Sequence, residues 1–149
     1  MWAGAILGLC LLVCAGLSEA ADLPVTSPFG WRVHPISGTW KFHSGVDLGY
    51  DYGMGVVVLF DGVVVDAGNH EDGYGNAITV YHTALDCYTK YAHLSAIYAW
   101  TGAVVARGDV IGAVGSTGNS TGPHLHLEYI VKNPATGQYE FRDPLTLWQ

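Results

Sequence analysis

Short runs of β-branched and aromatic residues, separated by glycine-containing turns, make up most of this sequence. Such runs are typical of β-strands, and no long window has the periodicity of an amphipathic helix. The connections are too short for the crossover helices that parallel strands need, so the pattern predicts an all-β, antiparallel domain. One turn of helix is expected over residues 95–100. The expected strands are residues 56–60, 62–67, 77–82, 87–93, 110–114, 124–131 and 139–141.

The N-terminal segment has the composition of an export signal. Residues 1–17 carry no charged side chain, and Ser18 and Ala20 then place small residues at a potential cleavage site before Ala21. We therefore expect a signal peptide over residues 1–20, with an uncleaved membrane anchor as the alternative. A linker over residues 21–27 and a single domain over residues 28–149 are expected to follow. Both alternatives predict export, to the periplasm, the cell envelope or the extracellular space.

The charged residues exclude some classes of partner. The formal net charge is −7, and the 6 Lys and Arg residues form no cluster. This balance argues against nucleic acid and against an anionic membrane surface, and no membrane insertion is expected beyond the N-terminal segment. Cys87 is the only cysteine after residue 20, so no disulfide is expected within the domain, and a small buried side chain is predicted there. The sequence leaves the oligomeric state open.

Two histidine-containing segments carry the chemistry. His43 and Asp47 lie four positions apart in a segment with a glycine, which is expected to bend and bring both side chains to one point. His124 and His126 belong to a segment in which polar and apolar residues alternate. In a strand, this period of two places both histidines on one face, together with Glu128.

These residue types are zinc ligands. A catalytic zinc ion typically has three protein ligands and an open fourth position for water. His43, Asp47 and one histidine of the pair His124 and His126 would complete such a set. The spacing therefore predicts one Zn²⁺ ion, but it does not decide between the two histidines.

Two further patterns are typical of other hydrolases but lack the required context. Residues 118–122 have the Gly-x-Ser-x-Gly pattern of a serine nucleophile, but Pro123 and a strand-like segment follow where that motif needs a helix. His70 and Glu71 begin like the zinc motif His-Glu-x-x-His, but no second histidine follows at the required position. The glycines and hydroxyls of residues 118–122 are better explained as a turn ahead of His124.

Three motifs follow one another along the chain. They are Ser27-Pro28-Phe29-Gly30-Trp31-Arg32-Val33-His34-Pro35 leading to His43 and Asp47, then Tyr91-Ala92-His93-Leu94-Ser95, then Gly115-Ser116-Thr117-Gly118-Asn119-Ser120-Thr121-Gly122-Pro123-His124-Leu125-His126. In this order and at these distances they resemble the lysostaphin/LytM family of zinc metalloendopeptidases. The resemblance extends over nearly all of the chain after the predicted signal peptide.

The resemblance implies a role for each histidine of these motifs. His43, Asp47 and His126 would hold the zinc ion, and His93 and His124 would be the catalytic histidines. His124 would act as the base for the attacking water, with His93 stabilising the developing oxyanion or sharing the proton transfer. The implied substrates are stem or cross-bridge peptides of bacterial peptidoglycan, and the bond that is cleaved stays open.

The resemblance also implies a fold and further contacts. The fold would be a small antiparallel β-sheet or split barrel of the duplicated-hybrid-motif type, with an open substrate groove. His34, Asn119 and Glu128 are candidates for contacts with the substrate or with the zinc ligands, and Glu128 could orient His126 from behind. A structural role in a turn is the alternative for His34, and a plain surface carboxylate is the alternative for Glu128.

A binding module is the alternative function. Some members of the family have lost zinc ligands and activate separate wall amidases. All five presumed ligands and catalytic histidines are present in this chain, which favours the enzyme. The chain departs from the family at scaffold positions, with Met54-Gly55-Val56-Val57 in place of a Gly-x-Pro-Val turn and His82-Thr83 in place of His-Gly. These differences are expected to alter loops and to leave the ligands unchanged.

Overall fold

The structure is a computed structural model that describes residues 22–149. Within these residues, thirteen β-strands and a short 3₁₀ helix at Pro144–Trp148 form the regular structure. All strand pairings are antiparallel, so the all-β prediction is confirmed. The strands are β1 (Val25–Ser27), β2 (Gly30–Val33), β3 (Trp40–His43), β4 (Val46–Leu48), β5 (Gly55–Val57), β6 (Gly62–His70), β7 (Gly75–His82), β8 (Cys87–Leu94), β9 (Ala96–Ile97), β10 (Val104–Val105), β11 (Val110–Ala113), β12 (Leu125–Lys132) and β13 (Tyr139–Arg142).

The described strands form one large sheet, one small sheet and one hairpin. The large sheet has eight strands in the order β1-β4-β12-β8-β7-β6-β10, with β13 paired to the distal half of β12. The small sheet has the order β5-β11-β9, and β2 and β3 pair only with each other. Strand β12 therefore lies between β4 and β8, where it can present side chains to residues from both neighbours.

One cluster of buried apolar side chains joins the large and the small sheet. It includes Ile78 and Val80 of β7, Leu127 of β12 and Ile111 of β11, each 1% exposed or less. Removal of this apolar surface from water is the main contribution to the stability of such a fold. Because the core joins the two sheets, it fixes the strands of the large sheet that carry the polar residues described below.

Most of the longer predicted strands are confirmed. Strands β6, β7, β8, β11, β12 and β13 match their predicted ranges with ends that differ by up to three residues. The predicted strand over residues 56–60 is shorter than expected, since the N–H of Val58 donates to the carbonyl of Asp109 outside the β5 ladder. Strands β1 to β4, β9 and β10 have two to four residues each and are too short for a clear sequence pattern.

Two local predictions are wrong. Residues 95–100 do not form a helical turn, because the N–H groups of Ser95 and Tyr98 donate to carbonyls of Ala113 and Ile111, which pairs this segment with β11. The predicted linker over residues 21–27 includes β1, which pairs with β4. The predicted signal peptide over residues 1–20 lies outside the described residues. Between residues 22 and 149, no helix is long and apolar enough to cross a membrane.

Gly45 allows close contact between two segments of the large sheet. It lies between β3 and β4 and is buried against β12. A Cβ atom at this position would lie 2.3 Å from the backbone oxygen of Leu127 and 2.9 Å from Cε1 of His126. These distances are shorter than van der Waals contact, so any larger residue must move the backbone.

We predict that Gly45→Ala lowers the free energy of unfolding by about 1–3 kcal/mol, because the added methyl overpacks the contact with β12. Urea denaturation measures this change. Gly68→Ala is the matched control, since a Cβ atom at Gly68 of β6 meets nothing within 4 Å. That variant is expected to stay within about 1 kcal/mol of the wild type. Equal stability of the two variants would contradict the packing described for Gly45.

Candidate metal centre and groove

His43, Asp47 and His126 come from three strands and meet at one point. Asp47 of β4 is the Cα partner of His126 of β12, and His43 is the last residue of β3. Directly paired residues in an antiparallel sheet present their side chains to the same face. Oδ1 of Asp47 lies 2.8 Å from Nδ1 of His126 and 3.2 Å from Nε2 of His43. The two nitrogens lie 3.2 Å apart, so three potential ligand atoms enclose one position.

The spacing of these atoms fits a zinc ion. Ligand bonds of about 2.0–2.1 Å at tetrahedral angles separate neighbouring ligand atoms by about 3.3 Å. The distances of 2.8 and 3.2 Å in the cluster are close to that value. Two imidazole nitrogens and one carboxylate oxygen are also donor types that zinc prefers. These three residues could therefore hold a metal ion.

The second ring nitrogen of each of the two histidines has its own acceptor. Nδ1 of His43 donates to the carbonyl of Pro28 at 2.8 Å, and Nε2 of His126 donates to Glu128 at 3.2 Å. The inner nitrogens, Nδ1 of His126 and Nε2 of His43, face Asp47, and binding of a metal there would replace the protons that they share with this carboxylate. The outer contacts therefore orient both rings so that the inner nitrogen of each faces the candidate metal position.

Glu128 is a buried carboxylate directly behind His126. It is 1% exposed, so it is not the surface carboxylate that the sequence left as an alternative. Besides His126, the hydroxyl groups of Ser44 and Tyr74 donate to its Oε1. Burial by itself raises the pKa of Glu128, but the hydrogen bonds from His126, Ser44 and Tyr74 lower it more, so its pKa lies below the ordinary value. Glu128 therefore stays ionised and fixes the orientation of the His126 ring.

The electrostatic environment of the centre favours positive charge. Burial raises the pKa of Asp47, but the hydrogen bonds from His126 and His43 hold it well below its ordinary value. For His126, burial lowers the pKa, while the hydrogen bonds to Asp47 and Glu128 raise it above the ordinary value. Two ionised carboxylates thus flank one buried imidazole, and the same field attracts a metal cation.

His93 and His124 lie beside the cluster as a pair. Their ring centroids are 4.7 Å apart. Nδ1 of His93 donates to the carbonyl of Thr117 at 2.8 Å, and Nδ1 of His124 donates to that of Gly122 at 2.9 Å. Nε2 of His124 lies 3.7 Å from Oδ1 of Asp47, farther than the 2.8 Å of His126. The geometry therefore groups His126, and not His124, with His43 and Asp47.

The backbone of His93 has an uncommon conformation. Its φ angle is +62°, in the left-handed region, which costs a non-glycine residue about 1–3 kcal/mol. A hydrogen bond from its N–H to the carbonyl of Tyr74 holds this conformation. Burial, together with the nearby His124, lowers the pKa of His93 to about 4. The side chain is therefore neutral at neutral pH.

An open groove of about 710 Å³ contains all five of these residues. The candidates His34 and Asn119 also line it. Nδ1 of His34 accepts hydrogen bonds from the N–H groups of Ile36 and Ser37, so it has the turn role that the sequence left as an alternative, in addition to its place in the groove. The N–H of Asn119 donates to the carbonyl of Gly73, which fixes its loop against the segment between β6 and β7.

Sequence reasoning missed four residues of the site. Ser44 and Tyr74 bind the buried Glu128, and Arg32 and Lys41 line the groove. Tyr74 lies in a polar loop between β6 and β7, and no local pattern relates it to β12. Arg32 is part of the first sequence motif, but only the pairing of β2 with β3 places it in the groove.

The model of peptidase family M23 matches residues 41–137. The chain belongs to this family. The resemblance on which the site assignments were based is thereby confirmed at the level of the family.

The relatives include enzymes that are named for their activity. The chain is 50% identical over 104 residues to the DD-carboxypeptidase/endopeptidase Mpg of Neisseria meningitidis, covering 70% of this chain and 24% of Mpg. It is 38% identical over 120 residues to the peptidoglycan DD-endopeptidase ShyC of Vibrio cholerae, covering 77% of this chain and 27% of ShyC. The chain therefore spans about a quarter of the length of these curated relatives.

The fold of this chain matches a solved structure over most of the length of both proteins. The catalytic domain of the antimicrobial peptidase lysostaphin from Staphylococcus simulans superimposes with a TM-score of 0.74 at 30% sequence identity. The match covers 87% of this chain and 94% of that domain. The small antiparallel β-fold expected from the resemblance is thus confirmed.

We predict that Glu128→Gln lowers the free energy of unfolding by about 1–3 kcal/mol, because the amide cannot accept all three buried hydrogen bonds. Thermal or urea denaturation measures the change. Glu71→Gln, at an exposed loop position, is the matched control and should change stability by less than about 0.5 kcal/mol. A Glu128→Gln variant as stable as the wild type would mean that Glu128 does not hold the network together.

Proposed function

We propose that this protein is a zinc-dependent endopeptidase that hydrolyses peptide cross-links of bacterial peptidoglycan. The observation that carries the proposal is the convergence of three ligand atoms from His43, Asp47 and His126 in an open groove, next to two further histidines. Membership in peptidase family M23 supports it, and so do the names of Mpg and ShyC, one a DD-carboxypeptidase/endopeptidase and the other a peptidoglycan DD-endopeptidase.

In this proposal His43, Asp47 and His126 hold one zinc ion. The chemistry that zinc supplies when bound is polarisation of a carbonyl group and a lower pKa for a coordinated water. Glu128 and the carbonyl of Pro28 keep the two imidazoles in position through their outer nitrogens. Loss of such an outer contact typically lowers metal affinity by about 10–100-fold.

We assign proton transfer to His124. Its Nδ1–H is bound to the carbonyl of Gly122, so Nε2 is the nitrogen that is free to accept a proton from the attacking water. The same nitrogen can then return the proton to the leaving amine. This assignment needs no glutamate base, in agreement with the lack of a His-Glu-x-x-His motif.

We assign His93 a share in this proton transfer. Its Nδ1 donates to the carbonyl of Thr117, which leaves Nε2 without a proton in the neutral side chain. A neutral Nε2 accepts hydrogen bonds and does not donate them. Of the two roles expected from the sequence, this geometry favours proton transfer over stabilisation of an oxyanion.

The groove provides the remaining elements of the proposal. An extended peptide can lie across it, with His34 and Asn119 as proposed contacts. A substrate in the cell wall requires a protein that reaches the cell envelope, so export remains part of the proposal. The complete set of ligands and catalytic histidines favours an enzyme over the activating module that some relatives represent.

We predict that the metal-stripped protein binds one Zn²⁺ per chain in equilibrium dialysis, because the three ligand atoms complete one site. His126→Ala should lose this binding, while His124→Ala should retain it. His70→Ala is the control, since His70 pairs with Asp66 and does not line the groove. Zinc loss in His124→Ala together with retention in His126→Ala would exchange the roles of the two histidines.

The proposed reaction is tested by incubation of purified peptidoglycan with the zinc-loaded protein and mass spectrometry of the released fragments. We expect new amino termini within the peptides and a loss of activity on chelation. The His124→Ala variant should be slower by about 10²–10⁴-fold, as for removal of a general base, and His70→Ala should be unaffected.

Two results would contradict the proposed function. Full activity in a metal-stripped preparation would exclude the zinc chemistry. Intact peptidoglycan, combined with stimulation of a separate wall amidase, would identify a binding module in place of an enzyme. The masses of the fragments also identify the bond that is cleaved.

A further inference from the structure

The β2–β3 hairpin presents two cationic residues to the groove. Lys41 lies two positions before His43 on β3, so strand geometry places both side chains on the same face. Arg32 of β2 is the Cα partner of Lys41, which adds its side chain to that face. Both cations line the groove that contains the candidate metal centre.

These cations have no acidic partner within the described part of the chain. Neither Arg32 nor Lys41 forms a salt bridge with any of residues 22–149. Nε of Arg32 is shielded from solvent and has no hydrogen-bond partner among the same residues. A buried donor without an acceptor is costly, and more so when it is charged. An acceptor supplied by a ligand would remove this cost.

The carboxylates that line the groove are already engaged. Asp47 binds the two imidazoles of the candidate metal centre, and Asp72 accepts a hydrogen bond from the N–H of Tyr74 at 3.2 Å. Neither carboxylate lies within ion-pair distance of Arg32 or Lys41. In a chain with a net charge of −7, two adjacent cations that have no counter-charge among residues 22–149 mark a place that attracts an anionic group.

We propose that Arg32 and Lys41 form a carboxylate-binding subsite and that the substrate is a peptide with a free carboxylate close to the cleaved bond. A guanidinium binds a carboxylate through two parallel N–H···O hydrogen bonds, and the ammonium of Lys41 adds a second positive charge. Two residues of extended strand span about 7 Å, so the carboxylate lies within about two residues of the reacting carbonyl.

This inference deepens the proposed function and rests on it for the identity of the ligand. The resemblance assigned no role to Arg32 or Lys41, and the subsite rests on the position of both residues in the groove. The carboxylate can come from the C-terminus of the peptide or from an acidic side chain. Both sources have the same chemistry, and the probes below distinguish them.

The test uses the zinc-loaded protein and three synthetic cross-linked stem-peptide dimers. The first has all carboxylates free, the second has its C-terminal carboxylates amidated, and the third has its side-chain carboxylates amidated. We expect kcat/KM to fall by about tenfold, mainly through KM, for the probe that lacks the bound carboxylate. The amidated probe with the lower kcat/KM identifies whether the bound carboxylate is C-terminal or belongs to a side chain.

The variants test whether the preference depends on the hairpin. Arg32→Gln should lower kcat/KM for the free-acid probe to the value measured for the probe that lacks the bound carboxylate. It should leave kcat/KM for that amidated probe unchanged. Arg32→Lys, which keeps the charge but loses the paired hydrogen bonds, should retain part of the preference. Lys132→Gln, at an exposed position at the end of β12, is the control and should keep the full preference.

The outcomes separate this proposal from the proposed function. If the wild type cleaves all three probes equally, or if Arg32→Gln keeps the preference, the subsite is wrong and the hydrolase is unaffected. If no probe is cleaved, the proposed function fails, and fluorescence anisotropy with the same probes tests the subsite alone. Tighter binding of the free acid that is lost in Arg32→Gln then supports the subsite, and equal binding of acid and amide overturns it.

Discussion

The register between β4 and β12 places Asp47 opposite His126, and the rest of the site depends on this pairing. A shift by one residue would move the side chain of His126 to the opposite face of the sheet. The register is held on both sides of β12, because β8 pairs with the same strand and brings His93 alongside. The lack of a side chain at Gly45 lets the segment between β3 and β4 approach β12, which completes the cluster with His43.

The histidines of the groove are oriented before any ligand arrives. The rings of His43, His93, His124 and His126 each donate one N–H to an acceptor outside the centre. These acceptors are the carbonyls of Pro28, Thr117 and Gly122 and the carboxylate of Glu128. Three of these acceptors are backbone carbonyls, so the path of the chain sets the proton positions. Groups that are fixed in this way need little reorganisation during a reaction. In the proposed mechanism, metal binding and proton transfer belong to different histidines with the same ring chemistry.

The sequence predicted the longer strands and the residues of the cluster, since alternation and the identity of zinc-binding side chains are local properties. Spacing could not rank His124 and His126, because a period of two treats them alike. The two histidines differ because β4 pairs with β12 in a register that places Asp47 opposite His126, and this pairing joins segments that are distant in sequence. The burial of Glu128 and the role of Tyr74 depend on contacts between distant segments, which no local pattern encodes. The segment over residues 95–100 was misassigned because its hydrogen bonds go to β11.

In the proposed mechanism, three side chains form one zinc site and the neighbouring histidines stay free of the metal. Anomalous diffraction at the zinc edge, from crystals of the zinc-reconstituted protein, tests it most directly. We expect a single peak per chain in contact with Nε2 of His43, Oδ1 of Asp47 and Nδ1 of His126, with His93 and His124 uncoordinated. A peak coordinated by His124 in place of His126, or no peak in the groove at saturating zinc, would contradict it.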